Sequence, residues 1–595
     1  MSHEEGKQCR RQASQEFNPE PSYELGRRLL FQKTEEVTCC HVAHARRKIP
    51  ASAEIRTVCK RYRRYRTRSL ECSISVFASF ASDLPQEMAK TYLLRSTNTR
   101  GMLFPALFIR LPLRMPPTDS IRQRSFINIL DDDSLLHIFS LYRPVILDED
   151  ETQNSSVLQG GEWHQERWWY KLVHVCRRWR YLILASSSSL GLCLVCKHAT
   201  PIAYMLAHSP PLPLIIDHLQ VDQHHPITSE DEEGMLLALQ HRDRVRRIRL
   251  MMPVPALQKV IIALGKGFSM LEYLYVAART NEIPNLILPE TFQAPQLRHL
   301  ILIDFAFPIT SPFLATATGL VTLWLSEISP SSYFRPSALL HHLSFMPRLE
   351  TLGILFHSPA PGHEHEEQLL HAPNMVHVVL LHLHWFAFGG DSAYLEALLP
   401  RMTTPALDKL QIFFFDQQTF SVPHLRQFAS TRKDLTPSRA DLIFDDKNVF
   451  MTVYSNDKAR TETFYIDVSC GNPHRQVASA VQIFNALGTI LSGVEYLVLG
   501  YENDVSSLDG NHEADRTPWR GLLKSFKNVK AIQVPHDLVR VLSRSLQLDD
   551  GESPADFLPQ LEQLECFKCG DTGDAFTGFI DARRNAGHPV TLVPR

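Results

Sequence analysis

One pattern, apolar-x-x-apolar-x-apolar, recurs along the chain as LEYLYV (residues 271–276), LRHLIL (297–302) and LVTLWL (320–325). Successive residues of a β-strand point to opposite faces of its sheet, so the fourth and sixth positions of each copy share one face. A single copy is too short to bury that apolar face by itself. The pattern therefore predicts short strands that are stabilised by stacking on their neighbours.

The copies follow one another at a nearly constant spacing. The intervals between the first seven are 26, 26, 23, 29, 26 and 32 residues. The segments between them, such as 255–265 and 336–345, have helical character. Alternating strands and helices predict a fold of the α/β class. The copies begin at Val245, Leu271, Leu297, Leu320, Leu349, Met375, Leu407, Val494, Val529 and Leu561.

This spacing resembles that of leucine-rich repeats, whose units have about 20–29 residues. The resemblance implies a curved α/β solenoid over residues 196–595, with an irregular insert near 416–490. The chain departs from the family at the ninth position of the repeat, where Asn or Cys is usual. Only Cys569 fits there, so a regular Asn ladder is not expected. The alternative is a non-repeating α/β domain with several buried strands. The other residues at the ninth position are Arg279, Phe305, Ile328 and His357.

The fifth position of each copy points away from the buried face, toward the concave side of such a solenoid. Tyr275, Ile301 and Trp324 are expected to form an exposed aromatic and aliphatic column there, and exposed apolar patches often mark protein contacts. The predicted target-binding residues are Tyr275, Ile301, Trp324 and Val379. The alternative is that the N-terminal helices or a loop cover them.

Two segments before the repeats have a helical rather than a strand period: ILDDDSLLHIF (129–139) and WWYKLVHVCRRWRYLILAS (168–186). Asp131, Asp132 and Asp133 stand where the first helix should begin, and carboxylates are favoured at helix N-termini. The apolar residues at helical spacing are Leu135, Ile138 and Phe139 in the first segment, and Leu172, Val175, Cys176 and Trp179 in the second.

Together and in this order, the two segments resemble an F-box, and most closely the F-box proteins abundant in fungi. The resemblance covers residues 121–195. It departs from the family because Asp131 follows Leu130 where Pro is usual, and because a long acidic linker separates the segments. The alternative is two ordinary amphipathic helices. The resemblance implies docking on a Skp-type adaptor, and the residues that would dock or pack the unit's own core are Ile129, Leu130, Leu135, Leu136, Ile138, Phe139, Leu172, Val175, Cys176 and Trp179.

The resemblance implies a substrate-receptor subunit of a cullin–RING (SCF-type) ubiquitin ligase, in which the repeats hold an unknown target protein. A leucine-rich-repeat scaffold with a degenerate F-box and no ligase role is the alternative. A nucleic-acid role through the basic run at 60–68 is a third and less favoured class. We expect no enzyme and no cofactor, because no phosphate-binding loop, nucleophile elbow or zinc-protease motif occurs in the sequence.

The first 120 residues differ in composition from the rest. They hold 21 Lys and Arg against 12 Asp and Glu, whereas the whole chain has a net charge of −2. No sustained period occurs there, so we expect this segment to be disordered. We expect no secretory signal and no membrane helix. The cysteines are therefore predicted to be reduced thiols of a cytoplasmic or nuclear protein.

Two Cys-x-x-Cys pairs occur, at Cys193 with Cys196 and at Cys566 with Cys569. A structural zinc site needs four ligands, and these pairs lie too far apart in sequence for the usual spacing. Cys566 also occupies an inward repeat position, where a small buried thiol is expected. No metal site is therefore predicted.

Overall fold

Three short helices begin the described part of the chain, and strands and helices alternate after them. The computed structural model describes residues 130–142, 168–219, 227–278, 286–306, 309, 311–358, 375–430, 437–445, 447–455, 462–470, 473–501, 516–548, 552–553, 557–567 and 574–594. The described residues from Asp132 onward belong to one compact unit. The predictions for residues 1–120, for Ile129 and for the acidic linker lie outside the described residues.

The bounds of these elements agree with the alternation that the sequence predicts. The helices are α1 (Asp132–Tyr142), α2 (Trp168–Val173), α3 (Arg177–Ala185), α4 (Ile202–His208), α5 (Ser229–Gln240), α6 (Val254–Leu264), α7 (Pro312–Thr316), α8 (Pro336–Leu343), α9 (Ser392–Leu398), α10 (Pro423–Ser430), α11 (Pro473–Ala486), α12 (Gly488–Leu491), α13 (Arg516–Lys524), α14 (His536–Leu546) and α15 (Thr577–Asn585). The strands are β1 (Leu194–Lys197), β2 (Leu214–Leu219), β3 (Val245–Met252), β4 (Tyr273–Ala278), β5 (His299–Ile303), β6 (Thr322–Ile328), β7 (Thr351–Phe356), β8 (Val378–Val379), β9 (Trp385–Gly390), β10 (Met402–Thr403), β11 (Lys409–Phe414), β12 (Pro437–Phe444), β13 (Asn448–Ser455), β14 (Glu462–Ser469), β15 (Tyr496–Tyr501), β16 (Ala531–Pro535), β17 (Gln563–Phe567) and β18 (Thr591–Pro594).

Sixteen of the described strands form one large sheet. Its order is β1-β2-β3-β4-β5-β6-β7-β9-β11-β14-β13-β12-β15-β16-β17-β18. Neighbours are parallel throughout except around β13, which is antiparallel to both β14 and β12. Apart from that insertion, each new strand is added beside the previous one without a reversal of direction along the sheet. The chain is thus an α/β protein built on a mainly parallel sheet.

The repeated apolar positions stack in register across this sheet. Leu274 of β4 pairs with Leu300 of β5, which pairs with Leu323 of β6, and the ladder continues through β7 to β11. These side chains are almost completely buried. Burying one such side chain contributes about 1.5–3 kcal/mol relative to exposure, so the ladder is the main stabilising feature that the pattern predicts.

Helices of successive units contact one another. Such contacts join α4 to α5, α5 to α6, α8 to α9, α9 to α10 and α13 to α14. The helices therefore form a layer on the side of the sheet that carries the buried ladder. Proline at the first turn helps several of them to begin, as at Pro312 and Pro336, because that position needs no backbone donor. The opposite side of the sheet is here named the open face.

The segment predicted to be irregular contributes an antiparallel insertion to the sheet. A turn near Asp445 separates β12 from β13, and β14 follows as a further strand. The carboxylate of Asp445 accepts hydrogen bonds from the backbone N–H groups of Lys447 (2.7 Å) and Asn448 (2.5 Å), which fixes the turn.

One predicted strand lies elsewhere. The pattern beginning at Met375 places Val378 and Val379 in the large sheet, but they form β8, which pairs only with β10 in a separate two-stranded sheet. The strand of that unit in the large sheet is β9. The same apolar pattern also fits residues 383–388, where Phe386 and Phe388 take the buried positions. Their aromatic side chains fill the ladder between β7 and β11.

Candidate functional site

The unit formed by α1, α2 and α3 has a small core of its own. Phe139 of α1 and Trp179 of α3 meet edge to face, with ring centroids 4.8 Å apart. Arg178 of α3 donates from Nη2 to Oδ1 of Asp132 at 2.6 Å, at the start of α1. An aromatic contact and an ion pair therefore join α1 to α3. The buried apolar side chains of the unit are Leu135, Phe139, Trp169, Val173, Trp179, Leu182 and Ile183.

The second of the two segments is not one helix, which corrects the prediction. α2 ends at Val173 and α3 begins at Arg177. Between them Cys176 is extended (φ −154°, ψ 168°), and its Sγ accepts a hydrogen bond from the backbone N–H of Trp179 at 3.5 Å. Arg180 Nε donates to the carbonyl oxygen of Val173 at 3.0 Å. The C-terminal end of α2 and the N-terminal end of α3 thus each gain a hydrogen-bond partner at the break. The single apolar stripe that the sequence predicts is divided between the two helices.

The structure separates the predicted adaptor-binding residues by accessibility. Leu135, Phe139 and Trp179 are buried in the core of the unit, whereas Leu136, Ile138 and Leu172 are partly exposed. The exposed members are Leu130, Val175 and Cys176. The buried three can support a docking surface only indirectly, because a partner cannot reach them.

Further apolar side chains of the same unit are exposed and were missed in the sequence. Leu141 is 72% exposed, and Tyr142 and Tyr181 are also exposed. Leu141 and Tyr142 follow Ile138 at helical spacing, i+3 and i+4, so this second stripe of α1 could have been found from its period. Exposed apolar groups on such a small unit are typical of a protein contact.

The fifth-position residues lie side by side on the open face. The column contains Arg249, Tyr275, Ile301, Trp324, Gly353, Ala387 and Gln411, in register from β3 to β11. Two of the predicted target-binding residues do not lie exposed in this column. Tyr275 is only 3% exposed, and Val379, although 48% exposed, lies on β8 while Ala387 takes its place. Ile301 and Trp324 remain partly exposed.

Two tryptophans, Trp324 of β6 and Trp385 of β9, meet on the open face and are here named the indole pair. Their ring centroids are 4.9 Å apart and their planes are inclined by 58°. Gly353 of β7 lies beneath the ring of Trp324, and a Cβ there would stand 2.4 Å from carbons of that ring. Ala387 of β9 is completely buried. Small residues between the two strands therefore make room for two indoles lying across the sheet.

Polar contacts fix the second indole. Trp385 Nε1 donates to Oε1 of Gln411 at 3.1 Å, and Gln411 Nε2 donates to Oε1 of Glu462 at 3.2 Å. The ammonium of Lys409 lies 5.0 Å from the ring centroid of Trp385, within range of a cation–π contact. Burial lowers the pKa of Lys409, although Glu462 opposes this effect. These contacts hold Trp385 in one orientation.

A second chain of contacts leads from β3 toward the indole pair. The guanidinium of Arg247 lies 5.1 Å from the ring centroid of Tyr273, and that ring is 5.5 Å from the imidazole of His299. His299 Nδ1 and Thr322 Oγ1 are 3.1 Å apart. Burial, together with Arg298 and Arg247, lowers the pKa of His299 to about 4. His299 is therefore neutral at physiological pH and adds no charge.

The cations at the outward positions of β3 and β11 are faced by carboxyl groups of neighbouring strands: Asp217 of β2 interacts with Arg249 and Arg247, and Glu462 of β14 interacts with Lys409. The outward positions described on β3–β7, β9 and β11 include Arg247, Arg249 and Lys409, and none of them is a carboxylate. A carboxyl group stands next to this region in Asp217 of β2, whose pKa burial raises to about 6 although Arg249 lowers it.

Charged groups farther along the open face are paired with one another. Arg439 of β12 donates from Nε to Oδ1 of Asp441 at 2.7 Å and lies between the rings of Tyr454 and Tyr496. The hydroxyl of Tyr496 donates to Oε2 of Glu565 at 2.7 Å. The polar groups of this network are thus partnered by one another.

The cysteines only partly agree with the prediction of reduced thiols. Cys176, Cys193, Cys196 and Cys470 are free, but Cys566 is disulfide-bonded, which corrects the expectation of a buried thiol there. Cys569 lies outside the described residues. Within the described ranges, no group of three or more His, Cys, Asp or Glu side chains is arranged to hold a metal ion. None of the helices described is long and apolar enough to cross a membrane.

Neither a protein-family model nor a curated protein sequence matches the chain.

Proposed function

We propose that the chain is the substrate-receptor subunit of an SCF-type ubiquitin ligase, with an F-box in α1–α3 and a leucine-rich-repeat-like solenoid in the sheet. The F-box docks on a Skp-type adaptor, and the open face binds a target protein. The observation that carries the proposal is that α1–α3 close a core around Phe139 and Trp179 while leaving Val175, Leu141 and Tyr181 exposed.

The order of the strands supports the repeat part of the proposal. Parallel strands that follow chain order, with successive helices in contact on one side, are what stacked repeats of one strand and one helix would produce. Phe305 and Ile328, two of the residues at the ninth position, are buried. Apolar packing at this position substitutes for the Asn ladder that the sequence lacks.

In this role the chain contributes position rather than chemistry. Holding the target beside the ligase raises the effective concentration of a target lysine near the transfer enzyme. The required parts are therefore an adaptor surface and a target surface on one rigid body. No side chain of this protein has to act as an acid, base or nucleophile. The protein would work in the cytoplasm or the nucleus.

A repeat scaffold without a ligase role is the second candidate. It is favoured by Asp131 where the family has Pro, and by the break between α2 and α3 that places Cys176 at a helix cap. Such a scaffold would keep the target surface and lose the adaptor surface. Direct measurement of adaptor binding separates the two candidates.

The test is a pull-down of the full chain with a purified Skp-type adaptor. Val175→Asp and Leu141→Asp place a charge on exposed apolar positions of the helical unit, so they should abolish adaptor binding without unfolding the unit. Ile262→Asp is the matched control, because Ile262 is apolar and at least as exposed as Val175 and Leu141 but lies on α6. Retained binding in the Val175→Asp and Leu141→Asp variants would contradict this docking surface, and no binding by a folded parent would leave the scaffold as the function.

A further inference from the structure

We propose that one row of the open face, centred on Asp467 of β14, binds a segment of the target that carries Lys or Arg between apolar side chains. This inference rests on the proposed function, because it names the chemistry of the target that such a receptor would hold. It does not involve the indole pair.

The row lies next to the column of fifth positions, on the same face of the sheet, and is here named the apolar row. It crosses seven neighbouring strands from β7 to β15, and strand register places its members side by side. Six of the seven have no polar side chain, and the remaining one is a carboxylic acid. In order, they are Leu355, Gly389, Phe413, Asp467, Phe450, Ile443 and Gly500.

Two glycines let larger side chains lie across the row. A Cβ at Gly389 would stand 3.2 Å from the Cβ of Leu355, and a Cβ at Gly500 would stand 3.2 Å from the Cγ1 of Ile443. Leu355 and Ile443 therefore lie close against the glycines of the neighbouring strands. Both side chains are partly exposed, as is that of Phe413, so a partner can reach apolar surface on either side of Asp467.

Asp467 is the charged member of the apolar row, and its surroundings do not compensate its charge. Phe413 and Phe450 stand beside it on the adjacent strands, and its own side chain is partly exposed. Burial raises the pKa of Asp467 well above its ordinary value, and the like charge of Asp445 acts in the same direction. Within the described ranges, no cation lowers this pKa and no group donates a hydrogen bond to the carboxyl. A carboxyl group in such a setting is costly until it gains a partner.

Nearby carboxylates, by contrast, are paired with cations. Asp441, in the adjacent row on β12, accepts a hydrogen bond from Nε of Arg439 at 2.7 Å. Asp416, which follows β11, lies 3.1 Å from Arg475 of α11, measured from Oδ1 to Nη1. These two cations are engaged by other carboxylates, so the carboxyl of Asp467 is left for a ligand.

A Lys or Arg side chain of the target fits this setting. Its charged end would supply the opposite charge and the hydrogen bonds that the carboxyl of Asp467 lacks, and such bonds are strong where water is partly excluded. Its methylene groups would pack along Phe413, whose ring centroid lies 5.5 Å from that of Tyr465. The face of either ring can also attract the cation.

The spacing of the apolar side chains sets the rest of the ligand. Leu355 is three strands from Asp467 on one side and Ile443 is two strands away on the other, which corresponds to about 14 Å and about 10 Å at the usual separation of strands. An extended peptide that lies along the row advances about 3.3 Å per residue. Large apolar residues should therefore stand about four positions to one side of the basic residue and about three to the other.

An anionic ligand fits the apolar row less well. A phosphate or carboxylate would stand against Asp467 and Asp445, and like charges repel. A nucleic acid would need a series of accessible cations, and no member of the apolar row is a cation. A basic segment of a protein is therefore the occupant that the charges favour.

The experiment selects peptides from a random library displayed on phage, with the full chain as bait and peptides of about a dozen residues, which span the row when extended. Selected peptides are titrated by fluorescence anisotropy against the parent, Asp467→Asn and Phe413→Ala. Asp243→Asn and Phe345→Ala are matched controls, because Asp243 precedes β3, Phe345 follows α8, and both are exposed outside the row. A copy of each peptide with its basic residue replaced by Gln is titrated in parallel.

We expect enriched peptides to carry Lys or Arg with large apolar residues about three or four positions away. Asp467→Asn and the Gln peptide should each weaken binding at least about tenfold. The two changes together should weaken it little more than either alone, because both remove the same contact. Phe413→Ala should also weaken binding, and the two control variants should leave it unchanged.

The proposal is overturned if no peptide is enriched, if the enriched peptides lack Lys and Arg, if Asp467→Asn binds them as the parent does, or if the two losses are additive. Asn keeps the shape of Asp and removes an uncompensated charge, so Asp467→Asn should be at least as stable as the parent in urea. A clear loss of stability in this variant would show that the carboxyl already has a partner, which would also overturn the proposal.

Adaptor binding is measured on the same preparations. If the parent binds the adaptor but selects no basic peptide, this inference fails and the proposed function stands. If the parent selects basic peptides that need Asp467 but does not bind the adaptor, the proposed ligase role fails and the peptide site remains.

Discussion

Trp324 rests directly on Gly353 of the neighbouring strand: a Cβ at Gly353 would stand 2.4 Å from the Cδ2 and Cε3 atoms of the indole. No side chain fits at this position unless the ring moves. The large ring of Trp324 on β6 thus occupies the space that a side chain at Gly353 on β7 would need. The indole pair depends on this match.

Gly353→Ala should therefore destabilise the protein through Trp324. We expect a cost of about 1–3 kcal/mol, typical of overpacking. In a Trp324→Ala background the same substitution should cost much less, because the ring that it displaces is gone. Urea denaturation of the four proteins in this cycle gives the coupling energy. Equal costs of Gly353→Ala in both backgrounds would contradict the contact.

Trp179 should hold the helical unit together. It is 8% exposed and packs on Phe139, so Trp179→Ala should lower the local stability of α1–α3 by about 3–5 kcal/mol. Tyr181→Ala, two residues away and 74% exposed, should change it by no more than about 0.5 kcal/mol. Hydrogen exchange of backbone amides in α1 and α3 measures both. Similar protection in the Trp179→Ala variant and the parent would show that the core lies elsewhere.

Ala199, which follows β1, has a left-handed backbone with φ 57°. Its N–H donates to Oδ1 of Asp231 at 2.8 Å, which ties the turn to the first turn of α5. Alanine is disfavoured in this conformation and glycine is not, so Ala199→Gly should raise stability by about 0.5–1 kcal/mol. Ala203→Gly, in the helix α4, should lower it by a similar amount. Thermal denaturation of both variants measures the two changes in stability, which should have opposite signs. A loss of stability in the Ala199→Gly variant would contradict backbone strain at Ala199.

His299 should make stability fall in mild acid. Its pKa in the folded protein is about 4, mainly because of burial, against an ordinary value of 6.5. Between these two values the unfolded chain binds more protons than the folded one, so stability decreases as the pH falls from about 6.5 toward 4. His299→Gln removes this contribution. The urea midpoint of the parent should therefore fall more than that of the variant as the pH falls from about 7 to 5. A difference between the two midpoints that does not change with pH would contradict the lowered pKa of His299.

The ladder of buried residues could be predicted from the sequence because its physical cause is local. Alternate residues of a strand point to opposite faces of the sheet. The period of two within each copy therefore predicts that Leu274, Leu300 and Leu323 lie on the buried face. The helices between the copies have an equally local period. Repetition along the chain then predicts that the strands are neighbours, as they are from β3 to β7.

Other features depend on contacts between distant residues, which a local period does not contain. The apolar pattern fits both residues 375–380 and 383–388, and the aromatic residues Phe386 and Phe388 decide which strand joins the sheet. Val379 was misplaced for this reason. Tyr275 has the expected register but is buried, because register alone does not determine what covers a side chain.

The helical unit also combines features that a local period predicts with features that it does not. The apolar period identified Phe139 and Trp179 as members of the two helical segments, and the structure shows that their rings pack against each other. It did not reveal the end of α2 at Val173, because a helix end depends on which cap forms, and here a thiol at Cys176 and the side chain of Arg180 supply the partners. The accessibility of Val175 follows from that break.

The central claim is that α1–α3 dock on a Skp-type adaptor, and a hydrogen-exchange footprint of the full chain with purified adaptor tests it most directly. Protection should appear in residues 130–142 and 168–182, around Leu141 and Val175, and should be absent from the strands around the indole pair. Unchanged exchange throughout the helical unit at saturating adaptor, or protection confined to the sheet, would contradict the account.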